Sequence, residues 1–513
     1  MTLKKHTISF EETKQFSKLF LDYISGETKL RSFYAYAPEI DSFKQAIADK
    51  GKENTNRQLL VEVLLEQHKT LTNNALSIQN IQLLKDSKTF TVCTGHQLCL
   101  FTGPLYFIYK IISTINLAEA LKKKYPENNF VPVYWMASED HDFDEIASIH
   151  LFGKTLTWET NGGGAVGRLN TDSLSPLVAE LNQILGTSEN AKDLGELFSE
   201  AYLKNNSLAE ATRSLVHHLF AAYGLVILDA DDARLKSEFV DIIKDDISNN
   251  TNFKIVNKTI AELEKIGHKA QVNPREINVF KLSENSRERI ESATSEVLNL
   301  SPEVYSPNVV LRPLYQQKIL PNIAYVGGPG ELAYWFEYKA MFDHHGINFP
   351  ILMPRNFALL SDEKASQQLQ KLGLIPQDLF KDLDALTKEF VSKNATSDVS
   401  LKVQEIQLVQ FYKELAEKVS AVDPTLKASV EAEAQKALAG LKNIENKLLK
   451  SEKQKQEINI NQIKKLKDKF LPEGILQERY DNFAPYYLKA GKQFIPDLKA
   501  AFDPFDFKLM ILE

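Results

Sequence analysis

The sequence has very little cysteine and no long hydrophobic run. Its two cysteines, Cys93 and Cys99, lie among 513 residues without CxxC spacing or a second pair, which excludes a disulfide framework. We expect both thiols to be structural and the compartment to be reducing. No segment reaches the roughly 18 consecutive apolar residues that a membrane helix requires, and the N-terminus lacks the apolar core of a signal peptide. These absences predict a cytoplasmic protein with no membrane partner.

The chain also has no excess of positive charge. It contains 61 lysines and arginines against 68 aspartates and glutamates, and its formal net charge is -7. The lysine-rich stretch at residues 447–469 alternates with glutamate and glutamine, which is typical of a solvated helix face. We therefore predict no nucleic-acid partner.

Short apolar runs alternate with helical segments along most of the chain. Continuous runs of this kind are typical of strands that are buried on both faces in a parallel sheet. The alternation predicts an α/β fold with a doubly wound parallel sheet. The predicted strands are residues 89–93, 130–138, 224–228, 323–327 and 348–354, with one more in EIASIHLF at 145–152.

The same pattern divides the chain into three regions. Residues 1–380 form the core that contains the sheet, with insertions at about 153–222 and 233–310. Residues 381–471 are predicted to be helical. Residues 472–513 are rich in aromatic side chains and are expected to return to the core.

The helical region contains one long predicted helix, which begins after Asp423-Pro424 and extends to about Phe470. Its apolar residues follow a heptad-like stripe, which predicts an antiparallel helical hairpin that forms a coiled coil. The stripe has to be covered by the preceding helix or by a second subunit. Its members are Leu441, Ile444, Leu448, Ile458 and Phe470.

The stretch between the first central strand and the next helix has the features of an anion site. The helix is predicted to start with Thr102 or Gly103 as its N-cap and Pro104 at the first helical position. The free N-H groups of such a helix N-terminus favour phosphate or carboxylate. Lys110 interrupts the apolar run of this helix, and burial would require a carboxylate or an anionic ligand as its partner. Both an active-site lysine and a structural salt bridge are compatible with this position.

Polar and glycine residues follow each predicted central strand. Ligands of open α/β sheets bind outside the carboxyl ends of the strands, so these groups are expected to converge on one cleft. Arg312 lies in a further apolar run and also needs an anion. The strand-end groups are Gly95 to Gln97, Glu139 to Asp142, Asp229 to Asp232, Gly327 to Gly330, and Arg355.

Glu139-Asp140-His141-Asp142 is the most distinctive of these groups. Consecutive carboxylates around a histidine can bind a divalent cation, hold an amine or act as a general base. A solvated turn that caps the next helix has the same composition. The aspartates from Asp229 to Asp232 fit a helix N-cap cluster equally well.

Three long blocks of the sequence resemble the bacillithiol-biosynthesis cysteine ligase family, of BshC type. The blocks are TGHQLCLFTGPLYFIYK, PVYWMASEDHDFDEI and RPLYQQKILPNIAYVGGPGELAYW, and they occur in the family order. The resemblance implies a Rossmann-like core related to nucleotidylyltransferases and class I aminoacyl-tRNA synthetases. It also implies a coiled coil that forms a homodimer, and the addition of cysteine to glucosaminyl malate as the last step of bacillithiol synthesis.

The resemblance suggests roles for the strand-end residues. The cysteine carboxylate has to be activated, by adenylation or phosphorylation, which makes ATP or another nucleotide with Mg²⁺ a possible co-substrate. His96 and the helix N-terminus would hold phosphate, while Lys110 or Arg312 would offset negative charge. An acid of the Glu139 group would hold the cysteine ammonium, bind Mg²⁺ or deprotonate the attacking amine.

The candidate residues fall into two sets, and none is assigned to a resident metal ion. The candidate catalytic residues are His96, Lys110, Glu139, Asp140, His141 and Asp142. The candidate substrate- or nucleotide-binding residues are Gly95, Gln97, Thr102, Gly103, Tyr106, Asp229, Arg312, Tyr325, Gly327, Gly328, Gly330, Glu331 and Arg355. Two other hypotheses are a metal-dependent hydrolase or transferase built on Glu139 to Asp142, and a non-catalytic coiled-coil scaffold.

Overall fold

The computed structural model describes residues 3–160, 162–395 and 400–513. The chain forms two compact units, one comprising Met1–Leu359 with Leu476–Glu513 and the other comprising Leu360–Ile475. The division therefore lies earlier than the boundary that we drew at residue 381. The C-terminal segment belongs to the first unit.

The strands are numbered in chain order. They are β1 Lys5–Ser9, β2 Thr89–His96, β3 Asn129–Met136, β4 Ser148–Leu151, β5 Lys154–Thr157, β6 Val226–Asp229, β7 Val279–Leu282, β8 Arg287–Arg289, β9 Tyr305–Pro307, β10 Asn322–Gly327, β11 Ile351–Pro354, β12 Phe357–Leu360 and β13 Lys508–Leu512.

A five-stranded parallel sheet forms the centre of the first unit. Its strand order is β11-β10-β2-β3-β6, so the predicted doubly wound parallel sheet is confirmed. Strand β2 is buried throughout and β3 nearly so, as is typical of central strands of a parallel sheet that is covered on both faces. The chain builds one half of the sheet outward from β2 through β3 and β6, and the other half through β10 and β11. The order reverses between β2 and β10, where such folds open a ligand crevice.

The prediction for EIASIHLF was wrong in one respect. Its strand β4 pairs with β5 as an antiparallel hairpin and does not join the central sheet. Only alternate residues of β4 are fully buried, which is typical of a strand with one face on the core. Two further sheets are small: β8-β7-β9 lies within the predicted insertion at 233–310, and β1-β13-β12 joins the two ends of the chain.

Helices of the first unit surround these sheets. Helix α6 follows β2 and packs on β2 and β3, with Leu117 and Leu121 in a core shared with Phe90 and Ile351. The helices are α1 Phe10–Thr13, α2 Lys18–Ile24, α3 Phe43–Lys50, α4 Arg57–His68, α5 Ala75–Leu83, α6 Tyr106–Lys124, α7 Ser175–Leu185, α8 Glu189–Leu203, α9 Leu208–Phe220, α10 Ala233–Ser237, α11 Val240–Asn249, α12 Thr251–Lys265, α13 Ser295–Leu298, α14 Arg312–Ile319, α15 Pro329–Trp335 and α16 Lys339–His344, followed near the C-terminus by α22 Ala484–Ala490 and α23 Phe494–Ala501.

The second unit is helical in the part that the structure describes. Its helices are α17 Glu363–Lys371, α18 Leu383–Asn394, α19 Lys402–Ser420, α20 Lys427–Lys455 and α21 Glu457–Phe470.

Helices α19 and α20 form the predicted antiparallel hairpin. They pack together, and the backbone N-H of Leu401, just before α19, donates to Glu445 near the end of α20 at 3.2 Å. Asp423 caps the short turn before α20. The predicted single helix to Phe470 is interrupted at Gln456, where α20 ends and α21 begins. Ser451 and Lys455 weaken the apolar stripe just before this point.

No helix among residues 3–160, 162–395 and 400–513 is long and apolar enough to cross a membrane.

Candidate active site

A cavity of about 780 Å³ opens at the carboxyl edge of the central sheet. Residues that follow β2, β3, β10 and β11 line it, on both sides of the point where the strand order reverses. The structure thus brings most of the sequence-predicted site residues to one place. Those that line the cavity are Gly95, His96, Gln97, Tyr106, Glu139, Asp140, His141, Arg312, Tyr325, Gly328, Gly330, Glu331 and Arg355.

The other candidates do not line the cavity. They are Thr102, Gly103, Lys110, Asp142, Asp229 and Gly327. Asp142 is exposed to solvent, as in the solvated-turn alternative. Asp229 instead accepts a hydrogen bond from the Ser138 hydroxyl and lies 3.5 Å from Arg213, and burial raises the pKa of its carboxyl.

The N-terminus of α6 differs from the one that the sequence predicts. The helix begins at Tyr106, without a side-chain cap, and not at Pro104. The C-terminal segment covers this end: the Leu105 N-H donates to the Asp481 carbonyl at 2.8 Å, and the Asn482 amide donates to the Gly103 carbonyl at 2.7 Å. Residues from the far end of the chain thus occupy these two groups, which disfavours an anion site here, although Tyr106 at the start of the helix lines the cavity.

Gly103 itself serves the turn before α6. Its φ is +64°, and an added Cβ would lie 2.6 Å from the Cβ of Cys99. Both the left-handed backbone and the lack of space require glycine. Its role in this structure is therefore conformational.

Lys110 forms a salt bridge beneath the cavity. Its ammonium is buried, lies 2.7 and 2.8 Å from the two carboxylate oxygens of Glu331, and also donates to the Gly95 carbonyl. Burial opposes ionisation of Glu331, but Lys110 and the Gly328 N-H outweigh it and hold the pKa of this carboxyl below its usual value. The geometry therefore favours the structural salt bridge, and Lys110 positions Glu331 at the cavity wall.

His96 is buried in an aromatic environment. Its ring lies 5.2 Å from the Tyr106 ring and 5.0 Å from the Phe107 ring, centroid to centroid, and its Nε2 is 3.8 Å from the Cys99 sulfur. Burial, and next the charge of Lys110, lower the pKa of His96 to about 3. The imidazole is therefore neutral, so it can offer phosphate one hydrogen bond but no positive charge.

The two cysteines are poor nucleophiles in this structure. Both are free and buried, and burial raises the pKa of each thiol to about 12. Because the thiolate is the reactive form, the expected structural role agrees with their surroundings.

Six arginine side chains line the cavity and make it strongly cationic. Arg312 Nη2 and Arg355 Nε are buried and have no hydrogen-bond partner among the residues that the structure describes. The rest of the Arg355 guanidinium is fixed by Glu478 at 2.6 Å. The arginines that line the cavity are Arg275, Arg287, Arg289, Arg312, Arg355 and Arg479.

Acidic side chains also line the cavity. Glu139 lies 2.7 Å from the Lys236 ammonium, which also lies 2.6 Å from Asp231. Burial raises the pKa of Glu139 despite this partner. Asp140 accepts a hydrogen bond from the Gln97 amide at 2.9 Å, and the same amide donates to Glu145 at 2.7 Å.

His141 contacts Arg287, one of the arginines that line the cavity. Its Nδ1 lies 3.0 Å from Arg287 Nη1. Among the described residues, the run from Glu139 to Asp142 does not place three donor atoms close enough to share one metal ion. This geometry disfavours the metal-dependent hydrolase or transferase.

Sequence reasoning missed the residues that the 233–310 insertion supplies. Strand β8 carries Arg287 and Arg289, two residues apart and therefore on one face, and Phe280 of β7 lies under the Arg287 guanidinium at 4.1 Å. Asn273 and Arg275 line the cavity just before β7. The alternation Arg-Glu-Arg was the available signal, although nothing in the sequence shows that this strand lies at the central sheet.

A doubly wound sheet with a charged cavity at its reversal point is the arrangement of an α/β enzyme that binds small polar ligands. Comparison with known proteins gives the family. Residues 3–356 match the model described as bacillithiol biosynthesis BshC, N-terminal Rossmann-like domain, and residues 358–513 match that of the BshC C-terminal coiled-coil domain. The chain therefore belongs to the BshC family, and the predicted family, Rossmann-like core and coiled coil are confirmed.

Curated relatives match along nearly their whole length. A Flavobacterium psychrophilum protein is 43% identical over 97% of both chains. A Flavobacterium johnsoniae protein is 41% identical over 98% of this chain and 99% of its own, and one from Bacillus cytotoxicus is 29% identical over 92% and 94%. Each of the three is named "Putative cysteine ligase BshC".

Proposed function

We propose that this protein is a ligase that joins the carboxyl group of cysteine to the amine of glucosaminyl malate in the last step of bacillithiol synthesis. The names of its relatives support a cysteine ligase. The observation that carries the proposal is the cavity itself, which places arginines and carboxylates in one wall at the reversal point of the sheet. Such a wall suits a ligand with both anionic and amino groups.

The arginines of the cavity would bind the anionic groups of the ligand. Arg312 Nη2 and Arg355 Nε are donors removed from water without an acceptor, and each unmet donor of this kind costs about 1–3 kcal/mol. A carboxylate of the malate group, or a phosphate oxygen, would satisfy them. Arginine suits both anions because its planar fork matches their geometry.

The carboxylates of the cavity would bind the amino groups of the substrates. Ammonium groups are attracted to Asp140 and Glu145, which the Gln97 amide holds in place. Glu139 is the best candidate for the base that takes a proton from the attacking amine, because burial raises the pKa of its carboxyl toward that of a useful base. The neutral imidazole of His96 would donate one hydrogen bond to a phosphate oxygen.

Amide formation needs an activated cysteine carboxylate, because a carboxylate oxygen is a poor leaving group. ATP with Mg²⁺ would supply this activation, as an acyl adenylate or an acyl phosphate, and the oxygen would leave with the AMP or phosphate. The unpaired nitrogens of Arg312 and Arg355 fit a phosphate group. The residues of the chain then hold both substrates and move the amine proton.

We further propose that two chains associate through the helical hairpin. Large apolar side chains of α19 and α20 remain exposed in the single chain, with Ile406 62% and Phe411 58% accessible. A coiled-coil stripe gains stability only when another helix covers it. Ile444 and Leu448 of the predicted stripe are also exposed, so α19 alone does not cover them.

The proposal is tested by direct assay. Purified protein is mixed with glucosaminyl malate, cysteine, ATP and Mg²⁺, and bacillithiol is sought by mass spectrometry. Arg312→Lys keeps the positive charge but changes the geometry of the donors. The KM for an anionic substrate should therefore rise about 10-fold to 100-fold, which corresponds to the free energy of one hydrogen bond to a charged group. Arg234→Lys, on an exposed arginine outside the cavity, is the matched control.

The outcomes separate the hypotheses. No product from folded protein under any nucleotide or metal condition would refute the ligase. A non-catalytic scaffold predicts that Arg312→Lys leaves the cellular thiol profile unchanged, whereas deletion of residues 424–470 alters it.

A further inference from the structure

A histidine pair outside the cavity meets a carboxylate in the folded chain. Asp245 lies on α11, His344 is the last residue of α16, and His345 follows it. One ligand atom from each lies within 4.8 Å of the other two. None of the three lines the cavity described above.

The hydrogen bonds around His345 fix which of its nitrogens can bind a cation. The buried carboxylate of Asp246 accepts from the Asn252 amide nitrogen at 3.0 Å, and this contact sets the orientation of that amide. The Asn252 carbonyl oxygen therefore faces His345 Nε2, at 2.8 Å. Since a carbonyl only accepts, Nε2 carries the proton and Nδ1 keeps its lone pair. Metal-bound histidines are oriented by the same kind of outer contact.

Asp245 supplies an independent indication of a ligand. Its Oδ1 accepts from the Asn249 amide at 2.8 Å, whereas its Oδ2 is buried and has no hydrogen-bond partner among the described residues. A carboxylate oxygen that is shielded from water without a donor is unfavourable. A cation at this position would satisfy it.

We propose that Asp245, His344 and His345 bind one zinc-class divalent metal ion, with water completing the coordination. Two imidazoles and one carboxylate suit zinc and related transition metals, and do not suit magnesium or calcium. Ligands at about 2.0–2.2 Å from a tetrahedral ion lie roughly 3.4 Å apart, so the three groups have to approach more closely. His344 is exposed and is free to make this movement.

The ion would connect two parts of the chain that build the cavity. Helix α11 belongs to the insertion, and Asp246 beside the site also accepts from the Asn278 N-H at 2.6 Å, just before β7. Helix α16 follows α15, which carries Glu331. The metal ion therefore fixes the insertion that supplies the arginines, and its role is structural.

Metal binding to the untagged full-length chain tests the proposal. After treatment with a chelator and removal of the chelator, the protein is titrated with Zn²⁺ by calorimetry, and the bound metal is counted by mass spectrometry. We expect one ion per chain and a higher unfolding temperature. His344→Ala and Asp245→Asn should each weaken zinc binding at least 10-fold. Loss of a residue that contacts the metal ion, or that orients such a residue, usually lowers metal affinity by at least this factor. His218→Ala, in the other adjacent histidine pair, should leave binding unchanged.

Cobalt provides a second measurement. Co²⁺ bound by imidazole and carboxylate gives visible absorption that reports its geometry, and this signal should be absent in His344→Ala. Circular dichroism shows whether each variant is folded, and because His344 is exposed its variant should be. The proposal is overturned if zinc does not bind at one ion per chain, or if folded His344→Ala and Asp245→Asn bind it as the wild type does.

Discussion

The carboxyl group of Glu337 should make stability fall as the pH rises. Its side chain is buried and accepts hydrogen bonds from the Gln271 N-H at 2.6 Å and the Val272 N-H at 3.3 Å. Burial is the largest cause that raises the pKa of Glu337, to about 7 from an ordinary 4.5. The native state therefore holds this proton more strongly than the unfolded state. The resulting stabilisation is complete below pH 4.5 and is lost as the pH rises to about 7.

The size of the effect follows from the difference in pKa. At 1.36 kcal/mol for each pKa unit, the free energy of unfolding falls by about 3 kcal/mol over this range. Glu337→Gln has no carboxyl proton to lose, and its amide oxygen can still accept from one of the two N-H groups. The variant should therefore gain stability relative to wild type as the pH rises, by up to about 3 kcal/mol.

Urea unfolding measured at pH 5, 6, 7 and 8 tests this prediction. The useful quantity is the difference between wild type and Glu337→Gln, because other titrating groups contribute equally to both. Glu262→Gln, on an exposed position of α12, is the control and should show no such trend. A difference between wild type and Glu337→Gln that stays constant with pH would refute the reasoning. The outcome also concerns the site, since Asn273 and Arg275 of the same segment line the cavity.

Three further predictions concern the salt bridge, the imidazole and the helical hairpin. Glu331→Gln leaves the Lys110 ammonium buried without its counter-charge and should cost about 3–5 kcal/mol of unfolding free energy; Lys110→Met in the same chain should recover part of this loss. His96, with its pKa lowered to about 3, should show no imidazole titration by NMR between pH 5 and 9. Ile406→Asp should convert the proposed dimer to a monomer in sedimentation velocity, whereas Gln370→Asp, at an exposed position of α17 outside the hairpin, should not; a wild-type monomer would contradict the proposed association.

The parts of the fold that the sequence predicted depend on local pattern. The central strands are short segments of mostly apolar or β-branched residues, and each is followed by a glycine, a histidine or a charge. Both their existence and the position of their polar ends could therefore be identified. The sheet is confirmed. Most of the strand-end residues meet at one cavity, but Asp142, Gly327 and the group from Asp229 to Asp232 do not line it. The chemical roles of all these residues stay predictions.

The features that the sequence could not settle depend on contacts between distant residues. Lys110 has its partner in Glu331, 221 residues away, so local sequence could not distinguish a salt bridge from an active-site lysine. Likewise, the N-terminus of α6 resembles an open anion site until Asp481 and Asn482 cover it. Periodicity along one helix carries no information about such a cap.

Some charged groups of the cavity have hydrogen-bond or ion-pair partners within the protein, and others do not. Glu139 is paired with Lys236, and Arg355 is held by Glu478, so these partners fix the side chains without involving a ligand. Among the described residues that line the cavity, the buried donors without a partner are Arg312 Nη2 and Arg355 Nε. Recognition of an anion should therefore depend on the direction of the N-H bonds of these two nitrogens more than on the total positive charge of the cavity. Lysine keeps the charge and loses the fixed direction, which is why Arg312→Lys is a sharper test of the ligand than removal of the charge.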